Sequence, residues 1–308
     1  MRRTSLRRAV TTAAVVALMP LAGCSATGDT SPSAGGTAPA IEQPFAIFHG
    51  DSLGVVDYAQ LKVQNQCLAD NGYPQNLRVM SAGPRNPFPQ LVVTASTFGP
   101  ASEDEARAHG FGQDEPAVPP SVVSFDANYD RASDRCFTEA WKRLSDTAEK
   151  VYYSYFDLGN ALSMPFHLTV NERVGRANWD TLLSCLSADG YTTTKKDDFY
   201  RYPDPGLFGV PLGLTAGAEE EWEPKGVAGT VEVGPATPAR RYQPTERETD
   251  FALSWFRCRR DTGIAEKQTT AVVDVQKELV AKNEDRLTAL NPQVEELAKQ
   301  AAALIGGQ

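Results

Sequence analysis

The 308-residue chain predicts a mainly α fold built from two related helical units. Each unit carries a disulfide staple and a long irregular loop; minor β structure and a C-terminal helical hairpin complete the prediction. Three observations support it. Cys67-Leu68-Ala69-Asp70-Asn71-Gly72-Tyr73 is echoed by Cys185-Leu186-Ser187-Ala188-Asp189-Gly190-Tyr191, and a second cysteine follows each copy, Cys136 after 69 residues and Cys258 after 73. Apolar residues recur at three- and four-residue spacing on both sides of each echo, as on one face of a helix. Between each echo and the helix carrying its second cysteine lie roughly 50 residues rich in Pro, Gly and Ser, longer than ordinary connections.

The first unit spans residues 45–163 and the second 164–308. Phe45 to His49 predicts a short strand. Val56, Ala59, Val63 and Cys67 then mark a helix that stops at Gly72. Residues 74–123 form the first loop, interrupted by a strand-like Leu91-Val92-Val93-Thr94. A loop of this length is either functional or poorly ordered. Asp126 to Asn128 cap one long amphipathic helix running from Tyr129 to Tyr155. Its aromatic run Tyr152, Tyr153, Tyr155 and Phe156 is assigned to packing in preference to ligand stacking.

Met164-Pro165 separates the units, and Thr169 with Glu172 fits a capping box that opens a helix through Val174, Ala177, Leu182 and Cys185 to Gly190. Residues 191–243 form the second loop, whose Glu219-Glu220-Glu221 run predicts solvated surface. Thr245 with Glu248 is another capping-box match, ahead of the helix bearing Trp255 and Cys258. Gly263 ends or kinks that helix. The next, from Ile264 through Leu290, is stopped by Asn291-Pro292, which also cap the last. Val294, Leu297, Ala301 and Leu304 give this last helix an apolar face, assigned to the protein's own core ahead of a coiled-coil partner.

The N-terminus predicts a compartment. Arg2, Arg3, Arg7 and Arg8 precede an apolar stretch, Ala9 to Leu21, that is shorter than a membrane span of about 20 residues. The Leu21-Ala22-Gly23-Cys24 that follows resembles the bacterial lipobox. The resemblance implies that residues 1–23 are a lipoprotein signal peptide and that Cys24 carries lipid such as palmitate. It places the protein on the extracytoplasmic face of the cell membrane, and stable anchoring then needs more than one acyl chain. Residues 24–44, mostly Ser, Thr, Gly, Ala and Pro, predict a flexible tether, because they have too little apolar surface to offset ordering entropy.

Without residues 1–23 the chain holds 26 basic and 39 acidic residues, a net charge of −13. That excess disfavours nucleic acid, whose binding depends on Lys and Arg neutralising phosphates. Membrane attachment must come from the lipid on Cys24. The four remaining cysteines suit an oxidising compartment and allow three pairings. The echo favours Cys67 with Cys136 and Cys185 with Cys258; joining Cys67 to Cys185 would make one interleaved fold instead. No Cys-x-x-Cys or histidine pair suggests a metal, and no phosphate-binding glycine motif suggests a cofactor.

Gly50-Asp51-Ser52-Leu53 resembles the nucleophile block of the GDSL hydrolases, which implies an extracytoplasmic serine esterase using Ser52. The Asp-x-x-His and Gly-x-Asn-Asp blocks of that family have no counterpart here. His109 and His167 alone follow Ser52, and a serine without a base is a weak nucleophile. Asp51-Ser52 also suits a helix N-cap, so no catalytic residue is assigned.

The two Cys-Leu-x-x-x-Gly-Tyr copies, Phe98-Gly99, Phe208-Gly209 and Trp255-Phe256-Arg257-Cys258-Arg259 together resemble a group of uncharacterised actinobacterial secreted lipoproteins. That resemblance implies a cell-envelope protein and carries over no activity. The leading expectation is a non-enzymatic binding or interaction module with an envelope protein or peptidoglycan as partner. The esterase, and capture of a small ligand between the two copies, are its alternatives.

Overall fold

A computed structural model describes residues 42–217 and 222–306. The leader, Cys24, residues 25–41 of the tether and Glu219 to Glu221 lie outside the described residues. Helix α1 (Gly50–Asp70) buries Leu53, Val56, Ala59, Val63 and Leu68 and carries Cys67 in its last turn. Cys67 is bonded to Cys136 of α3 (Ala127–Leu144). As its sequence predicts, α3 starts at Asp126, whose side chain accepts the N–H of Asn128 at 2.8 Å.

The long helix expected up to Tyr155 is two helices, α3 and α4 (Ala148–Ser163). The break falls at Ser145-Asp146-Thr147, short polar residues that favour turns over helix interiors. Bending there lets Trp141 and Leu144 of α3 and Val151, Tyr152 and Tyr155 of α4 all reach the core.

In the second unit α5 (Phe166–Val174) begins directly after Met164-Pro165. Thr169 is therefore not a cap. It lies inside α5, and its hydroxyl donates to the Pro165 carbonyl at 2.7 Å. The helix expected to run on to Gly190 breaks at Gly175, where φ is +84°, a conformation open to glycine and costly for other residues. Beyond it α6 (Arg176–Ala188) carries Cys185, bonded to Cys258 of α8 (Glu246–Asp261).

The C-terminal helices are α9 (Ile264–Lys282) and α10 (Glu284–Gly306). Their boundary is Asn283 and not Asn291-Pro292. The Asn283 side chain donates to the Leu279 carbonyl at 2.9 Å, while its own carbonyl accepts from Leu287 at 2.9 Å. Asn291 is held in mid-helix by tertiary bonds: its amide donates to the Ile47 carbonyl at 2.9 Å and accepts the Tyr155 hydroxyl at 2.8 Å. Pro292 is carried along inside α10.

The two expected N-terminal strands also differ. Pro44–Ile47 is a 3-10 helix with proline, whose φ is preset, at its first position. Around Leu91 the chain makes another short 3-10 turn, Pro89–Leu91. Val93, after the extended Val92, then pairs with a side chain in place of a strand: Gln43 accepts its N–H at 3.3 Å and donates to its carbonyl at 2.6 Å.

Both long loops contain short helices, α2 (Glu103–His109) in the first and α7 (Lys196–Arg201) in the second. They also pair with each other. Strand β1 (Val122–Ser124) runs antiparallel to β3 (Val231–Val233), and single bridges join Glu115 to Arg240 and Val118 to Thr237. A second pair, β2 (Leu214–Thr215) with β4 (Tyr242–Gln243), lies within the second loop.

One apolar core draws on 45–163 through Leu53, Val56 and Leu158, and on 164–306 through Leu182, Phe251 and Val272. Helix α10 lies against α1 and α4, and α9 against α5. A smaller cluster surrounds the first disulfide, with Leu68, Tyr129 and Ala132 beside Cys136. Among the described residues no helix is long and apolar enough to cross a membrane.

Candidate functional site

The two loops meet over a cleft of about 350 Å³. Its rim comes from residues 96–100 and 109–113 of the first loop and 202–205 of the second. Its floor comes from His167 and Asn171 of α5, Trp255 of α8 and Gln268 of α9. The Phe98-Gly99 and Phe208-Gly209 elements converge on Trp255 from opposite loops. The indole N–H of Trp255 donates to the Phe98 carbonyl at 3.4 Å, and the Phe208 ring stands edge-on to it at 6.1 Å. Phe111 closes the aromatic group at 5.3 Å from Phe251 and 5.5 Å from Trp255.

Glu248 holds this roof in place. The capping-box expectation is half met: the Thr245 hydroxyl accepts the Glu248 N–H at 3.1 Å, but the Glu248 carboxylate does not return to the cap. Fully buried, it accepts the N–H of Phe111 at 2.8 Å, the N–H of Gly213 at 2.5 Å and the hydroxyl of Tyr242 at 3.0 Å. One carboxylate thus ties the first loop and two points of the second to the head of α8. A buried carboxylate persists only when its lone pairs are met in this way.

The floor is polar and incompletely paired. Asn171, 4% exposed, donates to the Arg201 carbonyl at 2.8 Å, which fixes its amide orientation, and among the described residues its Oδ1 has no partner. Gln268, 2% exposed, accepts from Nε of Arg259 at 3.1 Å. Burial pulls the Arg259 pKa down to about 10, and it pulls the His167 imidazole below its ordinary value. His109 stands at the rim with a buried Nδ1 that makes no hydrogen bond among the described residues and lies 3.9 Å from the Asp114 carboxylate.

Ser52 is elsewhere. It lies in the first turn of α1 and lines a separate cleft with His49, Asn86 and Phe88. Among the described residues its hydroxyl forms no hydrogen bond to a histidine, and His109 and His167 both belong to the loop cleft. His49 places Nδ1 2.9 Å from Glu295. The expected cap at Asp51-Ser52 is displaced: α1 starts at Gly50 with His49 at its N-cap, and the Asp51 carboxylate accepts from Asn86 at 3.1 Å. Among the described residues no group of three or more His, Cys, Asp or Glu could hold a metal ion.

Sequence reasoning read Glu248 only as part of a capping box and Arg259 only as part of the Trp255 to Arg259 element, and it missed Asn171 and Gln268. A signal for two of them exists in α8, where Glu248 and Arg259 fall on the same helical stripe as Phe251, Ala252, Trp255 and Cys258. A charge on an apolar stripe marks a buried group with a specific partner or task. Compared with family models, curated proteins and solved structures, the chain matches none, so the reading of this cleft rests on its own geometry.

Proposed function

We propose that this protein is a lipid-anchored binding protein of the cell envelope, held at the extracytoplasmic membrane face through Cys24, which captures a small ligand in the cleft between its two loops. One observation carries the reading: loops from separate repeats are drawn together over a floor where a buried amide oxygen, Asn171 Oδ1, has no partner among the described residues. Buried polar atoms are nearly always paired, and an orphan lining a cleft is a place for a ligand's donor. The competing candidate surface, α10, places Leu287, Val294, Leu297 and Ala301 in the protein's own core.

Thermal unfolding of the detergent-solubilised full chain against a panel of small metabolites tests the cleft. A ligand at a hundred times its dissociation constant stabilises by about 2.7 kcal/mol. Ser96 lines the cleft and its side chain makes no hydrogen bond among the described residues, so Ser96→Trp fills the space without removing a hydrogen bond. Stabilisation of the native chain and none of Ser96→Trp is expected; equal stabilisation of both would reject the cleft. The anchor has its own test, metabolic labelling with an alkyne fatty acid. Label should appear on the native chain and vanish in Cys24→Ser, and a label that persists in the variant removes Cys24 from the proposal.

A further inference from the structure

Arg259 is the least compensated charge around the cleft. It is 7% exposed, and among the described residues no carboxylate lies within ion-pair distance of it. Its sole hydrogen bond there uses Nε, to Gln268; the terminal nitrogens Nη1 and Nη2 donate to nothing. A buried guanidinium normally sits in a fork-to-fork pair with a carboxylate, and without one its desolvation is uncompensated.

The guanidinium lies directly behind residues that line the cleft. Trp255, one turn before it on α8, lines the cleft, as does Gln268. Gly99 lines it too, and a Cβ added at Gly99 would lie 3.6 Å from Nη1 and 2.8 Å from the Trp255 indole nitrogen. The bare α-carbon at Gly99 therefore lets the loop close directly over Arg259. The remaining charge around the opening is acidic, from Glu105 and Asp204. A dianion would meet one cation against two carboxylates, whereas a single negative charge on an apolar body suits one guanidinium, neutral amides and the aromatic group at Trp255.

We propose that the cleft binds a small organic carboxylate whose charge pairs with Arg259. This rests on the ligand-cleft reading above and adds the chemical class of the ligand. Benzoate, its uncharged isostere benzamide, and inorganic phosphate serve as probes in thermal unfolding of the full chain. Benzoate at ten times its dissociation constant should raise Tm by about 3 °C, with benzamide and phosphate having little effect.

Arg259→Met should abolish the benzoate response while leaving the ligand-free Tm unchanged or raised, because removing an unpaired buried cation offsets the lost bond to Gln268. Arg259→Lys, which keeps the charge and loses the fork, should retain a weaker response. The inference is overturned if benzamide or phosphate stabilises as well as benzoate, if no anion stabilises at all, if Arg259→Met still responds, or if that variant alone lowers the ligand-free Tm by more than about 5 °C. Neutral probes that stabilise the native chain but not Ser96→Trp would leave the cleft standing and remove its carboxylate preference. Probes that never distinguish the native chain from Ser96→Trp would remove the cleft as well.

Discussion

Replacing Cys185 and Cys258 together by alanine is expected to lower the folding free energy by about 4 kcal/mol. The bond closes a separation of 73 residues, and in the chain-entropy account a cross-link of that span removes much of the freedom of the unfolded chain. Against a typical total of about 5–15 kcal/mol, the change moves the unfolding midpoint far down the denaturant axis. Cys258 is itself buried in the main core, so the variant also leaves packing unmade in the cluster that holds Leu186 and Phe251. Equilibrium unfolding in urea without reductant measures the effect, and the reduced native chain, which loses the Cys67–Cys136 bond as well, should be less stable still. A loss under 1 kcal/mol would show that the helix contacts alone hold α6 on α8.

Glu248→Ala is expected to cost a similar amount, about 4 kcal/mol. The substitution strands three donors at once, the N–H groups of Phe111 and Gly213 and the hydroxyl of Tyr242. Each buried donor left without an acceptor costs about 1–3 kcal/mol, and the loops gain only part of that back by admitting water. Glu248→Gln is expected to be nearly as severe, since its NH2 would face groups that are themselves donors. Tyr242→Phe removes one of the three and should cost about 1 kcal/mol. Amide hydrogen exchange provides the local readout: Phe111 and Gly213 should exchange faster in Glu248→Ala, while amides of α1, far along the chain, keep their protection until global unfolding. Unchanged exchange at Phe111 and Gly213 would deny Glu248 its role in closing the cleft.

The frame was legible where the signal is local. Asp126 and Thr245 cap their helices as their side chains predict, and the echoed cysteines pair within their own copies. Helix breaks were legible only in part, because distant groups decide them. Asn291-Pro292 has every local mark of a stop, yet bonds to Ile47 and Tyr155 keep Asn291 helical and leave the break to Asn283. Similarly, Leu91 to Thr94 has strand composition, but the partner supplied is one glutamine side chain. The cleft was hidden for the same reason. Phe98-Gly99 and Phe208-Gly209 stand out as repeated elements, but nothing near either one says that both end on Trp255.

The bridges between the two loops also set an order of events during synthesis. Arg240 donates to Glu115 at 2.6 Å across 125 residues, and β1 waits for β3 across a comparable interval. A chain emerging from its N-terminus can bond Cys67 to Cys136 and settle α1 against α3 well before either partner strand exists. Contacts so remote in sequence form late, since the cost of closing the intervening loop precedes any gain. A product truncated before residue 231 would thus be oxidised and helical in its first part and keep the rim residues 202–205, yet lack β3 and the Trp255 and Gln268 of the cleft floor. In this architecture a closed cleft certifies that translation has passed α9.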